Sequence, residues 1–229
     1  KEPFRFKTFS NETDELKFFI LNDVHGRADD IKRLCANVDF SQYDFVLLNG
    51  DLLSSTENEE GIFNGWLDAC VDMFAKNIPI IFVRGNHENR GQYADNIYKY
   101  FPTHTGEYYY TFDAAGISFL ALDCGEDKPD TDIEYHGIIE SDKYREQEAA
   151  WLKDEIGPFL RKDICYRTDI VKLASCMIGI IRIFGNFGHI AVMHIRSILK
   201  SHSELGHFLR HALTGTAAQM RSIIIRIRA

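Results

Sequence analysis

The stretch IPIIFVRGNHENRG, residues 78–91, runs from an apolar segment straight into a polar turn. Residues 80–83 are all apolar, and a short apolar run bounded by turn residues is typical of a buried strand. Asn86, His87 and Glu88 then follow in succession, so the turn presents an amide, an imidazole and a carboxylate. A turn of this composition is either an ordinary loop or part of a site, and the neighbouring segments are needed to distinguish the two.

Two earlier segments repeat the pattern of an apolar strand that ends in polar residues. They are LKFFILND at 16–23 and YDFVLLNGD at 43–51. Each is followed by a segment with the apolar spacing of a helix, ADDIKRLCANV at 28–38 and EEGIFNGWLDACVDMFAKN at 59–77. This alternation predicts an α/β fold whose sheet is covered by helices, and in such sheets ligands gather at the carboxyl ends of the strands.

A different arrangement is predicted after the third strand. The segments EYYYTF and GISFLALD lie on either side of the short turn DAAG, and this pattern predicts an antiparallel hairpin. Ser141 predicts the start of a helix that passes through Trp151 and ends at a break at Gly157 and Pro158.

The composition excludes several classes of function. With 229 residues, 45% of them hydrophobic, the chain can bury the core of a large globular domain. A formal net charge of −8 argues against a nucleic-acid or anionic-membrane binder, which would carry clustered Lys and Arg. The apolar runs are far shorter than the roughly 20 residues of a membrane-spanning helix. Five cysteines without CxxC spacing indicate buried free thiols rather than a disulfide framework.

The composition changes near residue 160. Residues 161–229 hold 11 of the 26 basic residues but only three of the 34 acidic ones, and they end in the aggregation-prone strand pattern RSIIIRIRA. We therefore expect a polar lead over residues 1–15, a core over residues 16–160, and an atypical basic segment over residues 161–229. That segment is either the second half of the domain or an out-of-frame tail produced by a shift of the reading frame.

The polar residues at the three strand ends form a candidate metal site. Asp23 and His25 are two residues apart, which puts both side chains on one face of an extended chain. Asp51 offers a carboxylate that can bridge two metal ions about 3.5–4 Å apart, and Asn86 supplies an amide oxygen. Each residue alone is ordinary loop chemistry, whereas the ordered set, each at the end of an apolar strand, predicts metal binding.

The ligand chemistry of this set indicates the cofactor and the reaction. Carboxylate, imidazole and amide groups suit Zn, Fe or Mn, and the set contains no thiolate that would favour softer ions. Two such ions can clamp a phosphate and lower the pKa of a bound water in an in-line displacement. His87, next to a predicted ligand, could then protonate the leaving alkoxide. We therefore expect two divalent or trivalent transition-metal ions as cofactors and a small phosphorylated substrate.

Three blocks of the sequence, DVH at 23–25, GD at 50–51 and GNHE at 85–88, resemble the first three signature blocks of the calcineurin-like metallophosphoesterases. The resemblance extends over about residues 14–160. The segments FVRGNHENRG and FLALDCGEDK are most similar to the purple-acid-phosphatase-like branch found among exported bacterial phosphoesterases. The resemblance implies two facing mixed β-sheets flanked by helices, and a dinuclear metal site that hydrolyses phosphomonoesters or phosphodiesters.

The resemblance also implies a role for each candidate residue. Asp23, His25 and Asp51 would hold the first metal ion. Asp51 and Asn86 would hold part of the second. His87 would be the acid that protonates the leaving group or a donor to the transition state.

The residues expected to complete the site depart from the family pattern. Ser54 stands where the purple enzymes carry a tyrosine, so their coloured tyrosine–iron site is not expected. The family adds a strand that ends in His and then a Gly-His-x-His block. HIAVMHIR at 189–196 offers His194 for the first block. For the second, His207 and His211 are four residues apart instead of two, which is typical of a helix face, so only His194 joins the predicted ligands.

Two functional interpretations follow. The first is a metal-dependent phosphoesterase. The second is a catalytically incomplete protein that binds metal or phosphate without turnover, because the C-terminal ligands are missing. The chain begins at Lys1 rather than Met, which leaves a removed signal peptide or an upstream domain open, and the resemblance alone favours an extracytoplasmic location. The sequence gives no indication of the substrate's identity or of the oligomeric state.

Overall fold

The structure is a computed structural model, and it describes residues 5–8, 15–115, 117–123, 125–160, 180–185, 190–193 and 221–228. The strands are β1 (Glu15–Asn22), β2 (Phe45–Asn49), β3 (Ile80–Val83), β4 (Tyr110–Ala114), β5 (Ile117–Leu122), β6 (Ile180–Gly185), β7 (Ile190–Met193) and β8 (Arg221–Arg228). The α-helices are α1 (Ala28–Cys35), α2 (Glu59–Ile62), α3 (Asp68–Cys70) and α4 (Ser141–Leu160). Short 3₁₀ helices lie at Phe40–Gln42, His87–Asn89, Ala94–Lys99 and Ile133–Tyr135.

The strands form two sheets of four. The first has the order β3-β2-β1-β8, in which β1, β2 and β3 are parallel and β8 runs antiparallel to β1 with Ile224 opposite Phe19. Parallel neighbours need a crossover connection, which α1 and the helical residues 59–75 provide. The second sheet has the order β4-β5-β6-β7, and its pairs are antiparallel.

The helical residues 59–75 cover one face of the first sheet. Asn58 caps the start of α2, because its side-chain oxygen accepts a hydrogen bond of 2.8 Å from the backbone N–H of Gly61. The backbone takes π-helical form at Phe63–Leu67 and at Val71–Ala75, on either side of α3. Trp66 is fully buried and stacks on Phe82 of β3, so the helical segment is fixed to the sheet by apolar contact.

Aromatic side chains fill the space between the two sheets. Phe18 of β1 stacks on Phe45 of β2 with ring centroids 4.7 Å apart. Phe119 of β5 meets both rings edge-on at 5.8 Å, and Phe112 of β4 stacks on Phe119 at 4.6 Å. Phe18, Phe45 and Phe119 are completely buried, so the sheets face each other across a dry aromatic layer.

The predicted α/β fold with two facing sheets is confirmed, and the predicted hairpin corresponds to β4 and β5. The second sheet is antiparallel throughout its described strands, whereas the family resemblance implies a mixed one. The predicted break at Gly157 and Pro158 is wrong, because α4 continues to Leu160. A proline inside a helix lacks one N–H donor and costs about 3 kcal/mol, which is not enough to end α4 here.

Cys35 and Cys70 are buried free thiols, as predicted. The other three cysteines, Cys124, Cys165 and Cys176, lie outside the described residues. In the part of the chain that the structure describes, no helix is long and apolar enough to cross a bilayer.

Candidate metal centre

The loops that follow β1 and β2 run side by side at one edge of the first sheet. The backbone N–H groups of Asp23 and His25 donate to the carbonyls of Gly50 and Asp51, at 3.1 and 3.0 Å. The N–H of Gly26 donates to the carbonyl of Leu52 at 2.8 Å. These bonds continue the parallel pairing of the strands into the loops, so the polar residues after β1 and β2 are held next to each other.

Three of the candidate residues come together as a group that could hold a metal ion. His25, Asp51 and His87 each offer one ligand atom, and these atoms all lie within 4.8 Å of one another. The two imidazole rings meet edge-to-face with centroids 4.6 Å apart. Asp23 adjoins the group, because its Oδ1 lies 2.8 Å from His25 Nε2. Two imidazoles and two carboxylates are a donor set that Zn, Fe and Mn accept.

The backbone is strained at the same positions. Asp23, His25 and Asp51 have φ angles of 62°, 50° and 56°, in the left-handed region that side chains other than glycine rarely adopt. Such a conformation costs on the order of 1–3 kcal/mol per residue and persists only where the surrounding structure enforces it. Strain concentrated on three candidate ligands is typical of a site in which ligand direction matters more than loop stability.

Two glycines allow the strand ends to approach closely. A Cβ on Gly50 would lie 2.7 Å from the Cα of Gly85, and Gly50 has a φ of +74°. A Cβ on Gly85 would lie 2.5 Å from the backbone nitrogen of Asp51 and would collide with its carboxylate. The glycines of the GD and GNHE blocks are therefore required by space, since any side chain there would displace Asp51.

Glu88 organises the loops around the site. Its side chain is completely buried, and its Oε1 accepts hydrogen bonds from the N–H groups of Leu52 and Leu53 at 2.6 and 3.1 Å. Its Oε2 accepts from the N–H groups of Asp51 and Gly85 at 2.9 and 2.8 Å. One buried carboxylate thus satisfies four backbone donors and ties the loop after β2 to the loop after β3.

The electrostatics of Asp51 favour a cation. Burial and the neighbouring Glu88 raise the pKa of Asp51 from 3.8 to about 8, although the N–H of His87 opposes the shift by donating to its Oδ1 at 3.3 Å. Asp51 therefore holds a proton near neutral pH unless positive charge beside it compensates the carboxylate. A metal ion beside Asp51 would supply that compensation, so the residues present fit the metal ions that the sequence predicts.

The orientation of His87 is set by a backbone carbonyl. Its Nδ1 lies 2.9 Å from the carbonyl oxygen of Ser54, which can only accept, and 3.4 Å from Arg90 Nη1, which can only donate; the shorter contact favours the tautomer with a proton on Nδ1. Nε2 is then the ring nitrogen that is free to exchange a proton with another group. The Oγ of Ser54 lies 3.4 Å from His25 Nδ1, so Ser54 contacts both histidines.

Asn86 is buried and faces an acidic side chain of another loop. Its Nδ2 donates to Glu126 Oε2 at 3.4 Å. Arg90 donates to the same carboxylate through Nε and Nη2, at 2.9 and 2.8 Å. Burial opposes a charge on Glu126, yet the hydrogen bonds from Arg90 and Asn86 hold its pKa below its ordinary value. The side chain of Asn86 is therefore held by a hydrogen bond to the Arg90–Glu126 ion pair.

Arg84, which precedes the GNHE block, is also paired. Its Nε donates to Asp123 Oδ2 at 2.6 Å, and its guanidinium lies over the ring of Tyr108, 3.9 Å from the centroid. Nearby charges, Asp123 above all, raise its pKa against the effect of burial. Asp123, at the end of β5, thus fixes an arginine next to the site instead of simply closing a turn.

His194, the ligand predicted from the C-terminal segment, lies outside the described residues, as do His207 and His211. Among the predicted site residues that the structure describes, His25, Asp51 and His87 come together. Asp23 lies beside them, and Asn86 precedes His87 in the sequence. Sequence reasoning gave no role to Glu88 or Glu126. The position of Glu88 directly after the GNH triplet was the one available signal, and Glu126, 38 residues further along, had none.

A comparison with known proteins identifies the family of this chain. The sequence model of the family described as calcineurin-like phosphoesterase matches residues 16–171. Among solved structures, the chain is similar to the purple acid phosphatase PPD1 from yellow lupin (Lupinus luteus) seeds, with 15% identity and a TM-score of 0.37. That similarity covers 46% of this chain but only 24% of the lupin chain. No curated protein sequence matches the chain.

Proposed function

The chain belongs to the calcineurin-like phosphoesterase family, and from this membership we propose that it hydrolyses phosphate esters at a metal centre that includes His25 and Asp51, with His87 beside them as the acid. The observation that supports the proposal best is the convergence of these three side chains, whose ligand atoms lie within 4.8 Å of one another. They come from three separate loops, so their proximity follows from the fold and not from sequence spacing.

The proposed ligands divide between two ions of Fe, Zn or Mn. We assign Asp23, His25 and Asp51 to the first ion, and Asp51 and Asn86 to the second. His194 is proposed as a further ligand. Bound there, the ions would supply a nucleophilic water at neutral pH and would neutralise charge on the phosphate oxygens.

His87 is proposed as the group that serves the leaving oxygen. Its Nδ1–H is engaged by the carbonyl of Ser54, at 2.9 Å, which fixes the ring and leaves Nε2 for proton transfer. Because the carbonyl cannot take up the Nδ1 proton, the residue exchanges a proton through one nitrogen only. The ring of His25 packs against its edge and further restricts its rotation.

The substrate is proposed to be a small phosphomonoester or phosphodiester. The formal net charge of the chain is −8, so an anionic substrate needs local positive charge. Three arginines near the site are already paired: Arg84 with Asp123, Arg90 with Glu126, and Arg27 with Asp30. Positive charge for the phosphate therefore comes mainly from the metal ions, and activity should depend strictly on them.

A chromogenic assay tests the proposal. Metal-loaded protein should release 4-nitrophenol from 4-nitrophenyl phosphate or bis(4-nitrophenyl) phosphate. His87→Ala should lower kcat by about 10²- to 10⁴-fold at unchanged metal content, the usual contribution of an acid–base group. The matched control is His104→Ala, an exposed loop histidine, which should leave kcat unchanged.

Metal binding without turnover of either ester would instead support the catalytically incomplete protein. We also propose that the chain divides into a lead over residues 1–15, a core over residues 16–160 and a C-terminal segment over residues 161–229. We propose an extracytoplasmic location, which fractionation of the source cells would test.

A further inference from the structure

Glu126 is a buried carboxylate that collects several donors. The residue is 4% exposed and follows β5 in the second sheet. Its Oε1 accepts from Arg90 Nε at 2.9 Å, while its Oε2 accepts from Arg90 Nη2 at 2.8 Å, from the Tyr135 hydroxyl at 3.3 Å and from Asn86 Nδ2 at 3.4 Å. Glu126, in the loop after β5, thus contacts Asn86, in the loop after β3.

The chemistry of this contact determines which way the Asn86 amide points. A side-chain amide has an NH₂ donor on one side and a carbonyl acceptor on the other. An ionised carboxylate has no donor, so only the NH₂ group of Asn86 can face Glu126 favourably. The carbonyl Oδ1, the one atom of this amide that binds metal ions, is then turned away from Glu126.

We propose that Glu126 is a positioning residue, which holds the Asn86 amide in the orientation that turns Oδ1, its metal-binding atom, away from Glu126. The inference rests on the proposed function, in which Asn86 is a metal ligand. Partners that orient metal ligands typically change metal affinity by about 10- to 100-fold when they are replaced.

Arg90 stabilises the negative charge of Glu126 through an ion pair. Its Nε and Nη2 donate two parallel hydrogen bonds to the two oxygens of Glu126, which compensate the buried negative charge. Arg90 Nη1 also lies 3.4 Å from His87 Nδ1, so the same ion pair is in contact with both Asn86 and His87.

A double-mutant cycle separates positioning from a merely structural role. Co²⁺ is titrated into metal-free parent protein, Glu126→Gln, Asn86→Ala and the double variant, and affinity is read by calorimetry and by the visible absorption of bound Co²⁺. Glutamine is nearly isosteric with glutamate, but its amide can present either a donor or an acceptor to Asn86. Thermal unfolding of each metal-free variant, followed by circular dichroism, reports structural damage separately.

The expected result is non-additive. Glu126→Gln should weaken Co²⁺ binding by about 10- to 100-fold in the parent, and by less than about 2-fold where Asn86 is already alanine. The matched control is Asp127→Asn, which removes the next carboxylate along the chain. Asp127 is 3.6 Å from Arg90 and accepts from Tyr135, and its replacement should leave affinity within about 2-fold because it does not orient the amide.

Two results would overturn the inference. One is an equal loss of affinity from Glu126→Gln in both backgrounds, which would assign the effect to general structure. The other is no loss in the parent. Should Glu126→Gln not fold, Glu126→Asp carries the same cycle, since it keeps the charge but withdraws the oxygens by one methylene. Absence of Co²⁺ binding by the parent would contradict the proposed function itself, which keeps the two failures distinguishable.

Discussion

Single residues determine how the loops of the site are held, and Glu88 is the clearest case. Its carboxylate accepts from four backbone N–H groups that otherwise have to find partners inside the protein. Each hydrogen bond to a charged group contributes about 1.5–3 kcal/mol, and a donor left unsatisfied costs about as much. The candidate ligand Asp51 therefore owes its position to a side chain that does not itself belong to the ligand set.

Glu88→Gln is predicted to destabilise the protein by about 3 kcal/mol, because the new NH₂ group would face backbone donors instead of accepting from them. Urea unfolding of metal-free protein measures this change in the free energy of unfolding. Glu57→Gln, an exposed acid of the loop after β2, should stay within about 0.5 kcal/mol of the parent. Equal stability of the Glu88 and Glu57 variants would refute the role given to Glu88.

The candidate ligands could be predicted from the sequence, whereas the residues that hold them could not. Asp23, Asp51 and Asn86 each follow an apolar strand, and parallel strands place their carboxyl ends at one edge. Glu88 and Glu126 are acids in loops, and nothing in their spacing distinguishes a buried acceptor from a solvated charge. The partners that tie Glu88 to the loop after β2 and Glu126 to Asn86 lie 35 to 40 residues away, so only the fold identifies them.

At the scale of elements, the approach of β2 to β3 is the feature on which the site depends. The chain after β2 passes so close to the chain after β3 that neither Gly50 nor Gly85 leaves room for a Cβ. The contact is between backbones, which cannot move aside as a flexible side chain can. The loops carrying Asp51 and Asn86 are therefore positioned by the elements themselves.

Gly85→Ala should destabilise the protein by about 1–3 kcal/mol through overpacking, and should also weaken metal binding by displacing Asp51. Gly61→Ala is the control, since its Cβ would meet Asn58 at an ordinary 3.4 Å. Because Gly61 lies in α2, alanine there should stabilise by about 0.5–1 kcal/mol. Chemical denaturation and Co²⁺ titration of the two variants provide the comparison, and a Gly85→Ala protein with parental affinity would contradict the account.

The packing of α4 against the end of β5 gives a pH dependence. Glu148 of α4 accepts from the N–H of Asp123 at 2.6 Å, and burial, followed by the charge of Asp123, raises the pKa of Glu148 from 4.5 to about 8. The folded protein then holds this proton at pH values where the unfolded chain has lost it. The contribution to stability is complete below pH 4.5 and is lost as the pH rises to about 8.

Glu148→Gln should remove this component of the pH dependence, which amounts to at most about 1.4 kcal/mol per pH unit for one proton. The free energy of unfolding of metal-free parent and variant, measured across the window from pH 4.5 to about 8, gives the difference directly. Asp51 titrates in a similar range but is common to both proteins. Parallel stability curves would show that Glu148 does not hold a proton in the folded state.

Most elements could be predicted from periodicity, and the exceptions have physical causes. The strands β1, β2 and β3 and the hairpin of β4 and β5 follow from apolar runs and turn residues. The π-helical stretches do not, because the apolar spacing of residues 59–77 suits an α-helix equally well. The predicted end of α4 at Pro158 is wrong, since a proline weakens a helix without always ending it.

For the whole molecule, the described strands of the basic C-terminal segment extend both sheets. β6 and β7 continue the second sheet from β5, while β8 pairs with β1 over eight residues and covers an edge that would otherwise expose unpaired backbone groups. An origin of residues 161–229 in a shifted reading frame stays a prediction, which a Gly-His-x-His block restored in another frame of the gene would support. An intact segment in independently sequenced copies would contradict it.

Metal content decides whether this chain assembles a metal centre. Elemental mass spectrometry of purified protein should find close to two transition-metal ions per chain in the parent and fewer in Asp51→Asn, because Asp51 is proposed to contact both ions. One ion in the parent would favour the catalytically incomplete protein. No metal in the parent, or equal metal in the parent and Asp51→Asn, would contradict the account.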